Sequence, residues 1–196
     1  MSMLNKLTAR LLLTLSLVCG AAPVMAAEVY HVTIDTSALA GTDGYLDFLL
    51  LGLSNAAPVQ TQLSNFSGDY TASSFALGDT SGDIHSVLSI ANSGAWNEYG
   101  QWTHFGGTLS FDISINNSAS SGASSGAGTT LSIALLDAGL YYLGSSGDIV
   151  TIALQPGSAS IVSADGAYAT ISAVPEPAAW LLLGAGLLLI GLRRRL

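Results

Sequence analysis

Between Leu109 and Asn116 the chain alternates without a fault. Leu109, Phe111, Ile113 and Ile115 take one parity, and Ser110, Asp112, Ser114 and Asn116 take the other. Successive side chains of a strand point to opposite faces, so this period of two describes a strand with one buried face and one wet face. Leu131, Ile133 and Leu135 repeat the device, and residues 29–36, 45–53, 59–66, 87–91, 140–143, 149–154, 158–163 and 168–174 carry further candidates. Turn chemistry separates them, as at Thr42-Asp43-Gly44, Ser67-Gly68-Asp69, Pro156-Gly157 and Asp165-Gly166. No stretch between residues 27 and 173 has a helical period. About ten short strands at this spacing predict an all-β body, a single β-sandwich of jelly-roll type.

The charges then restrict what such a body can do. All five basic residues lie at the ends (Lys6, Arg10, Arg193, Arg194 and Arg195), and residues 27–174 hold twelve carboxylates and no Lys or Arg. A body with a net charge of −12 has nothing with which to neutralise phosphates, so nucleic-acid binding is excluded. Lysine nucleophiles, Schiff bases and arginine clamps are excluded with it.

Residues 95–107 hold the densest set of chemically capable side chains. Trp96, Tyr99 and Trp102 lie among Asn97, Glu98 and Gln101, followed by His104 and Phe105. Apolar ring faces flanked by hydrogen-bonding groups suit carbohydrate, so Trp96, Tyr99 and Trp102 form the candidate ligand site; the competing expectation is that these rings close one end of the sandwich. His31, His85 and His104 lack metal-ligand spacing and read as strand-surface or loop residues. Asp recurs beside Gly at Asp43, Asp69, Asp79, Asp83, Asp148 and Asp165. These read as turn residues; Ca²⁺ held by two converging turns is the alternative, and no metal ligand is assigned. Asp79 and Asp83 are the pair that a hydrolase reading would need. Gly122-Ala123-Ser124-Ser125-Gly126 matches a nucleophile-elbow pattern, but it sits in a Ser/Gly/Ala run over residues 118–128 that reads as a linker. No catalytic residue is assigned.

Both ends are membrane-directed. Residues 1–26 read as a signal peptide, with Lys6 and Arg10 ahead of a short apolar run and Val24-Met25-Ala26 as the cleavage site. The single cysteine, Cys19, follows Val18 rather than a small residue, so it is not a lipobox and leaves with the signal. At the other end, residues 178–192 form an uncharged stretch after Pro175-Glu176-Pro177 and before Arg193-Arg194-Arg195. Fifteen residues rise about 22 Å as a helix, short of the ~30 Å hydrocarbon core, a deficit that snorkelling arginines and local thinning of the bilayer accommodate. The arginines hold that end in the cytoplasm, which leaves the body outside, as the signal peptide also requires. Two prolines make residues 175–177 a stiff, extended tripeptide just outside the membrane.

This tail resembles the PEP-CTERM sorting signal, a module also labelled the C-terminal domain of ice-binding proteins. Resemblance implies that Pro175, Glu176 and Pro177 are recognised by an exosortase, a membrane-embedded processing enzyme of exopolysaccharide-producing Gram-negative bacteria. It implies that residues 178–192 are a temporary anchor and Arg193, Arg194 and Arg195 its stop. The protein would leave through the Sec machinery, pause in the inner membrane with its body in the periplasm, and pass to the cell surface or extracellular matrix. Asp35-Thr36-Ser37-Ala38-Leu39 with Gly44-Tyr45-Leu46-Asp47-Phe48 is similar to the opening of one PEP-CTERM group, whose exported domain has no assigned activity. The body lacks the regular Thr repeats of a flat ice face. The resulting division is residues 1–26, signal; 27–173, β-sandwich; 174–196, sorting signal. The expected role is structural, or weak binding in an exopolysaccharide matrix, without catalysis. A carbohydrate-binding module is the alternative, and a secreted hydrolase is a third reading.

Overall fold

Among the residues that the structure describes, the chain forms twelve strands. They are β1 (Glu28–Asp35), β2 (Asp43–Gly52), β3 (Val59–Ser67), β4 (Tyr70–Leu77), β5 (Thr80–Ser81) and β6 (Leu88–Ala91), then β7 (Asn97–His104), β8 (Thr108–Asn117), β9 (Thr129–Leu136), β10 (Val150–Leu154), β11 (Ile161–Ala164) and β12 (Ala169–Ala173). The structure is a computed structural model and describes residues 28–53, 56–117, 128–154, 160–174 and 186. The signal segment, the sorting residues Pro175, Glu176, Pro177, Arg193, Arg194 and Arg195, and nearly all of the apolar stretch 178–192 lie outside the described residues, as does the elbow-like run 122–126. Among the described residues no helix is long and apolar enough to cross a membrane.

Two antiparallel sheets of six strands result. One has the order β12-β1-β8-β3-β6-β5 and the other β11-β10-β9-β2-β7-β4. The chain changes sheet at nearly every step from β1 to β9, so that β1-β8-β3-β6 faces β2-β7-β4, the winding of a jelly roll. Inward residues of both sheets form one core. Phe48 of β2 meets Phe111 of β8 edge-on at 5.2 Å, and Phe66 stacks on Phe111 at 5.5 Å. Val32, Ile34, Ile113 and Leu63 fill the first sheet's side, and Leu46, Leu50, Ile133 and Ile152 fill the second's. β1 and β12 are antiparallel neighbours with Tyr30 opposite Ala173, and the Val174 N–H donates to the Val29 carbonyl at 2.8 Å. Both ends of the body therefore leave at one corner.

Three expectations are corrected. Residues 140–143 form no strand: they follow a turn, and Tyr142 makes an isolated bridge to Leu136 beside which the Leu143 N–H donates to the Leu135 carbonyl. The other two corrections are β4 and β7, both long and neither marked by period-two alternation of apolar residues. β7 escapes such a reading because its inward side chains are Asn97, Tyr99, Gln101 and Thr103, mostly polar yet buried. Each is satisfied locally, as buried polar groups must be. The Asn97 amide donates to the carbonyls of Leu50 and Gly94, and Thr103 Oγ1 donates to the Gln101 carbonyl. Register shifts between Tyr70 and Ser74 where β4 pairs β7, and the Gln101 amide donates to the carbonyls of Thr71 and Ser73 at that irregularity. One glutamine thus supplies the donors that the broken ladder lacks.

Candidate functional site

The outer faces of the two sheets differ. On the first sheet His31, Thr33, Ser110, Asp112, Gln60 and Gln62 face water, a polar surface of hydroxyls, amides and one His–Asp pair. On the second, parity sends Tyr45, Asp47, Leu49 and Leu51 of β2 outward, with Glu98, Gly100 and Trp102 of β7 and Phe75 and Leu77 of β4 beside them. Exterior positions on a sheet facing only water would not hold this many rings and aliphatic groups.

Register explains the cluster. Tyr45 pairs Trp102 across β2 and β7, and Asp47 pairs Gly100, which in turn pairs Phe75. The absence of a side chain at Gly100 is what lets the Phe75 ring lie over the strand; a Cβ there would sit 2.1 Å from the ring. Phe75 and Trp102 then both meet Tyr45 edge-on, at 5.0 and 4.8 Å. The segment after β9 comes back over this face. Asp137 shapes it by accepting from the Gly139 and Tyr141 N–H groups, and Leu140 adopts φ 63° to make the reversal. A cleft of about 250 Å³ remains, lined by Tyr45, Phe75, Leu77, Glu98, Ala138 and Leu140.

Carboxyl groups gather at its base. Asp47 is 5% exposed and Glu98 8%. They sit diagonally on neighbouring strands, within reach of each other on one face. Trp96 Nε1–H donates to Glu98 Oε2 at 2.5 Å, and Tyr142 O–H donates to Asp148 Oδ1 at 3.1 Å. Asp47 Oδ1 is buried and has no hydrogen-bond partner. Burial first, then the adjacent Glu98, then Asp148, push the Asp47 carboxyl up to about 8. Two carboxylates this close cannot both ionise cheaply, so Asp47 keeps its proton at neutral pH. The Tyr142 hydroxyl is raised too, by burial and then by Asp148.

The sequence-predicted trio does not share a surface. Tyr99 is 3% exposed and points into the core, its hydroxyl donating to Gln101 Oε1 at 3.1 Å. Strand parity puts it opposite Trp102, which is half-buried on the outer face, while Trp96 stands just before β7 and is 54% exposed. Tyr99 therefore leaves the set, and Tyr45, Phe75, Asp47 and Glu98 enter it. Nothing local marks Asp47: its alternation with Leu46 and Phe48 reads as an ordinary wet position. Asp83 serves its own turn, and Asp79 ties its turn to the one after β6. Asp79 accepts from Ser93 Oγ at 2.6 Å, and Asp83 accepts from the His85 N–H and Ser86 Oγ. Asp165 likewise takes the Ala167 N–H. His31 pairs with Asp112 and His104 with Asp43, both on the surface, and His85 is exposed in a turn. Among the described residues no group of three His, Cys, Asp or Glu side chains is placed to hold a metal ion.

Residues 173–195 match the family of the PEP-CTERM protein-sorting motif. Neither the curated proteins nor the solved structures offer a match.

Proposed function

We propose, on the premise that a chain with this sorting motif is an exported, exosortase-processed surface protein, that its sandwich is a weak polysaccharide-binding element of the extracellular matrix. It would act by adhesion rather than catalysis. The observation that carries this reading is the asymmetry of the two outer faces: one is polar but for Val29 and Ala91, the other presents Tyr45, Trp102, Phe75 and Trp96 around a carboxyl group. Ring faces with hydrogen-bonding neighbours are suited to sugar rings, whose axial hydrogens are apolar and whose edges are polar.

Against hydrolysis stands the position of Asp47. A raised carboxyl beside an ionised one is the pattern of a general acid with its stabiliser. Asp47, however, is not among the residues lining the cleft, so its carboxyl does not touch a glycosidic oxygen held there. Sec export, passage through the periplasm of a Gram-negative cell and retention in a biofilm matrix are part of the same proposal.

The test is affinity electrophoresis of residues 27–174 through gels containing neutral, acidic or amino polysaccharides. Retention by at least one of them is expected, with loss on Trp102→Ala and weakening on Trp96→Ala. Trp96→Ala removes an exposed ring together with the donor to buried Glu98 and should cost about 1–3 kcal/mol, whereas Trp102→Ala loses an edge-to-face pair worth about 0.5–1.5 kcal/mol. Free migration through every gel would refute the binding role.

A further inference from the structure

Polysaccharide adhesion does not by itself require a cation-free body to hide two carboxyl groups beneath an aromatic cleft. Residues 27–174 contain no Lys or Arg, so no side chain of the body other than a histidine can be their counter-ion. The histidines are committed elsewhere or remote: His31 to Asp112, His104 to Asp43, and His85 in its turn. Around Asp47 the titratable neighbours are Glu98 from β7 and Asp148 and Tyr142 from the segment after β9, all acids. Buried charge in proteins is paired or neutralised, and here the chain offers only a proton. One oxygen of Asp47 has not even a hydrogen-bond donor, although it is fully covered.

We propose that the cleft between β2, β4, β7 and the segment after β9 binds the ammonium group of an amino sugar, with Glu98 as counter-ion and Tyr45 and Phe75 as walls for the ring. This deepens the polysaccharide reading and rests on it. Three features choose this ligand class. Glu98 lines the cleft, so a ligand held there lies against this side chain. Tyr45 and Phe75 add the negative faces of their rings, which attract an ammonium group as well as the apolar side of a sugar. A volume of about 250 Å³ is smaller than the ~300–1,000 Å³ of sites for drug-sized molecules and suits one sugar residue of a longer chain. Asp47 is a positioning residue behind Glu98. While the cleft is free, its proton keeps the pair at a single negative charge. An arriving ammonium favours two negative charges, so Asp47 gives up its proton to solvent as the ligand seats. No covalent bond to the sugar is made or broken, and charge is conserved: one ammonium in, up to one proton out.

The test uses the full-length chain in a non-ionic detergent and titration calorimetry at pH 6. The probes are an oligomer of glucosamine, its fully N-acetylated counterpart and a glucose oligomer of the same linkage. The amine should bind about tenfold or more tightly than the acetamide, the gain of a charge-assisted contact in a partly dry site. Repeating the titration in two buffers of different ionisation enthalpy should show release of up to about one proton per amine bound. Glu98→Gln keeps an acceptor for the Trp96 N–H and should abolish the preference for the amine over the acetamide. Equal affinity for all three sugars, or no proton released, would overturn the ammonium site and leave the polysaccharide reading standing. An amine preference that survives Glu98→Gln but vanishes in 0.3 M salt would overturn it as well, since diffuse attraction to an acidic body explains that result. If none of the three binds and the gels of the preceding test retain nothing, both readings fall together. The comparison of amine with acetamide needs no variant, so a misfolded Glu98→Gln chain does not remove the test.

Discussion

Replacing Asp47 by asparagine is the most informative single perturbation, because it separates one buried carboxyl from eleven others. Asp47 is held at about 8 in the folded state, against 3.8 for the free group. A raised folded pKa means that the native state holds a proton which the unfolded chain has already lost. Stability is then full below about pH 4 and falls as pH rises toward 8. With 1.36 kcal/mol per unit, these two values make the native state about 3–4 kcal/mol less stable at pH 8 than at pH 5 through this group alone. The asparagine side chain cannot ionise, is nearly isosteric, and can still donate to Glu98. Urea denaturation of residues 27–174 at several pH values, in parent and Asp47→Asn, isolates the effect as the difference between the two curves. The variant should be close to the parent near pH 5 and more stable by a few kcal/mol at pH 8. Differencing matters because other groups also titrate. The carboxyls of Asp35, Asp83 and Asp112 are held low, mainly by hydrogen bonds from Ser37, Ser86 and Asn65 respectively, and their contribution is lost only as pH falls below the ordinary carboxylate range. His104 is raised by its hydrogen bond with Asp43, so its contribution is lost as pH rises, with the same sign as that of Asp47. Parallel curves from pH 5 to pH 8, or an Asp47→Asn chain less stable than the parent at pH 8, would refute the account of a proton trapped between Asp47 and Glu98.

Three other outcomes are expected. Gly100→Ala should destabilise the body by about 1–3 kcal/mol in a urea melt, because the new methyl group must displace Phe75 from above the strand; it should also weaken sugar retention, since Phe75 walls the cleft. Asn92→Ala should cost about 1–3 kcal/mol by the same measurement, since Asn92 Oδ1 accepts the Val59 N–H while its amide donates to the Ala57 carbonyl and Thr129 Oγ1, leaving those groups unpaired. Intact-mass spectrometry of protein from the outer surface should find a chain that begins at Ala27 and lacks residues 178–196; a chain still carrying Arg193, Arg194 and Arg195 would mean a permanent anchor instead of processing.

The amino-acid sequence alone determined the class of fold and the sorting motif of the tail. Period-two patterning is a local property, so Leu109–Ile115 and Leu131–Leu135 declared their buried faces without any knowledge of their neighbours. The tail was equally legible, because a sorting motif is a linear pattern of Pro-Glu-Pro, an uncharged stretch and three arginines, and that segment is matched by a known family. Turn aspartates were legible for the same reason, since Asp83 and Asp165 bond to groups two or three residues away. What lies between strands was decided elsewhere. Gln101 is buried because a register shift in β4, some thirty residues earlier, leaves carbonyls for it to satisfy. Tyr99 and Trp102 looked like partners in one binding surface, but three positions along a strand reverse the face, so one joined the core and the other stayed outside. Asp47 shows the limit most sharply. Its sequence context marks an outward position, and outward ordinarily means wet. The pairing of β2 with β7 brings Glu98 alongside it, and the folding of the segment after β9 over both strands dries that position and brings Asp148 near, because desolvation depends on what covers a group in space rather than on what flanks it in the chain.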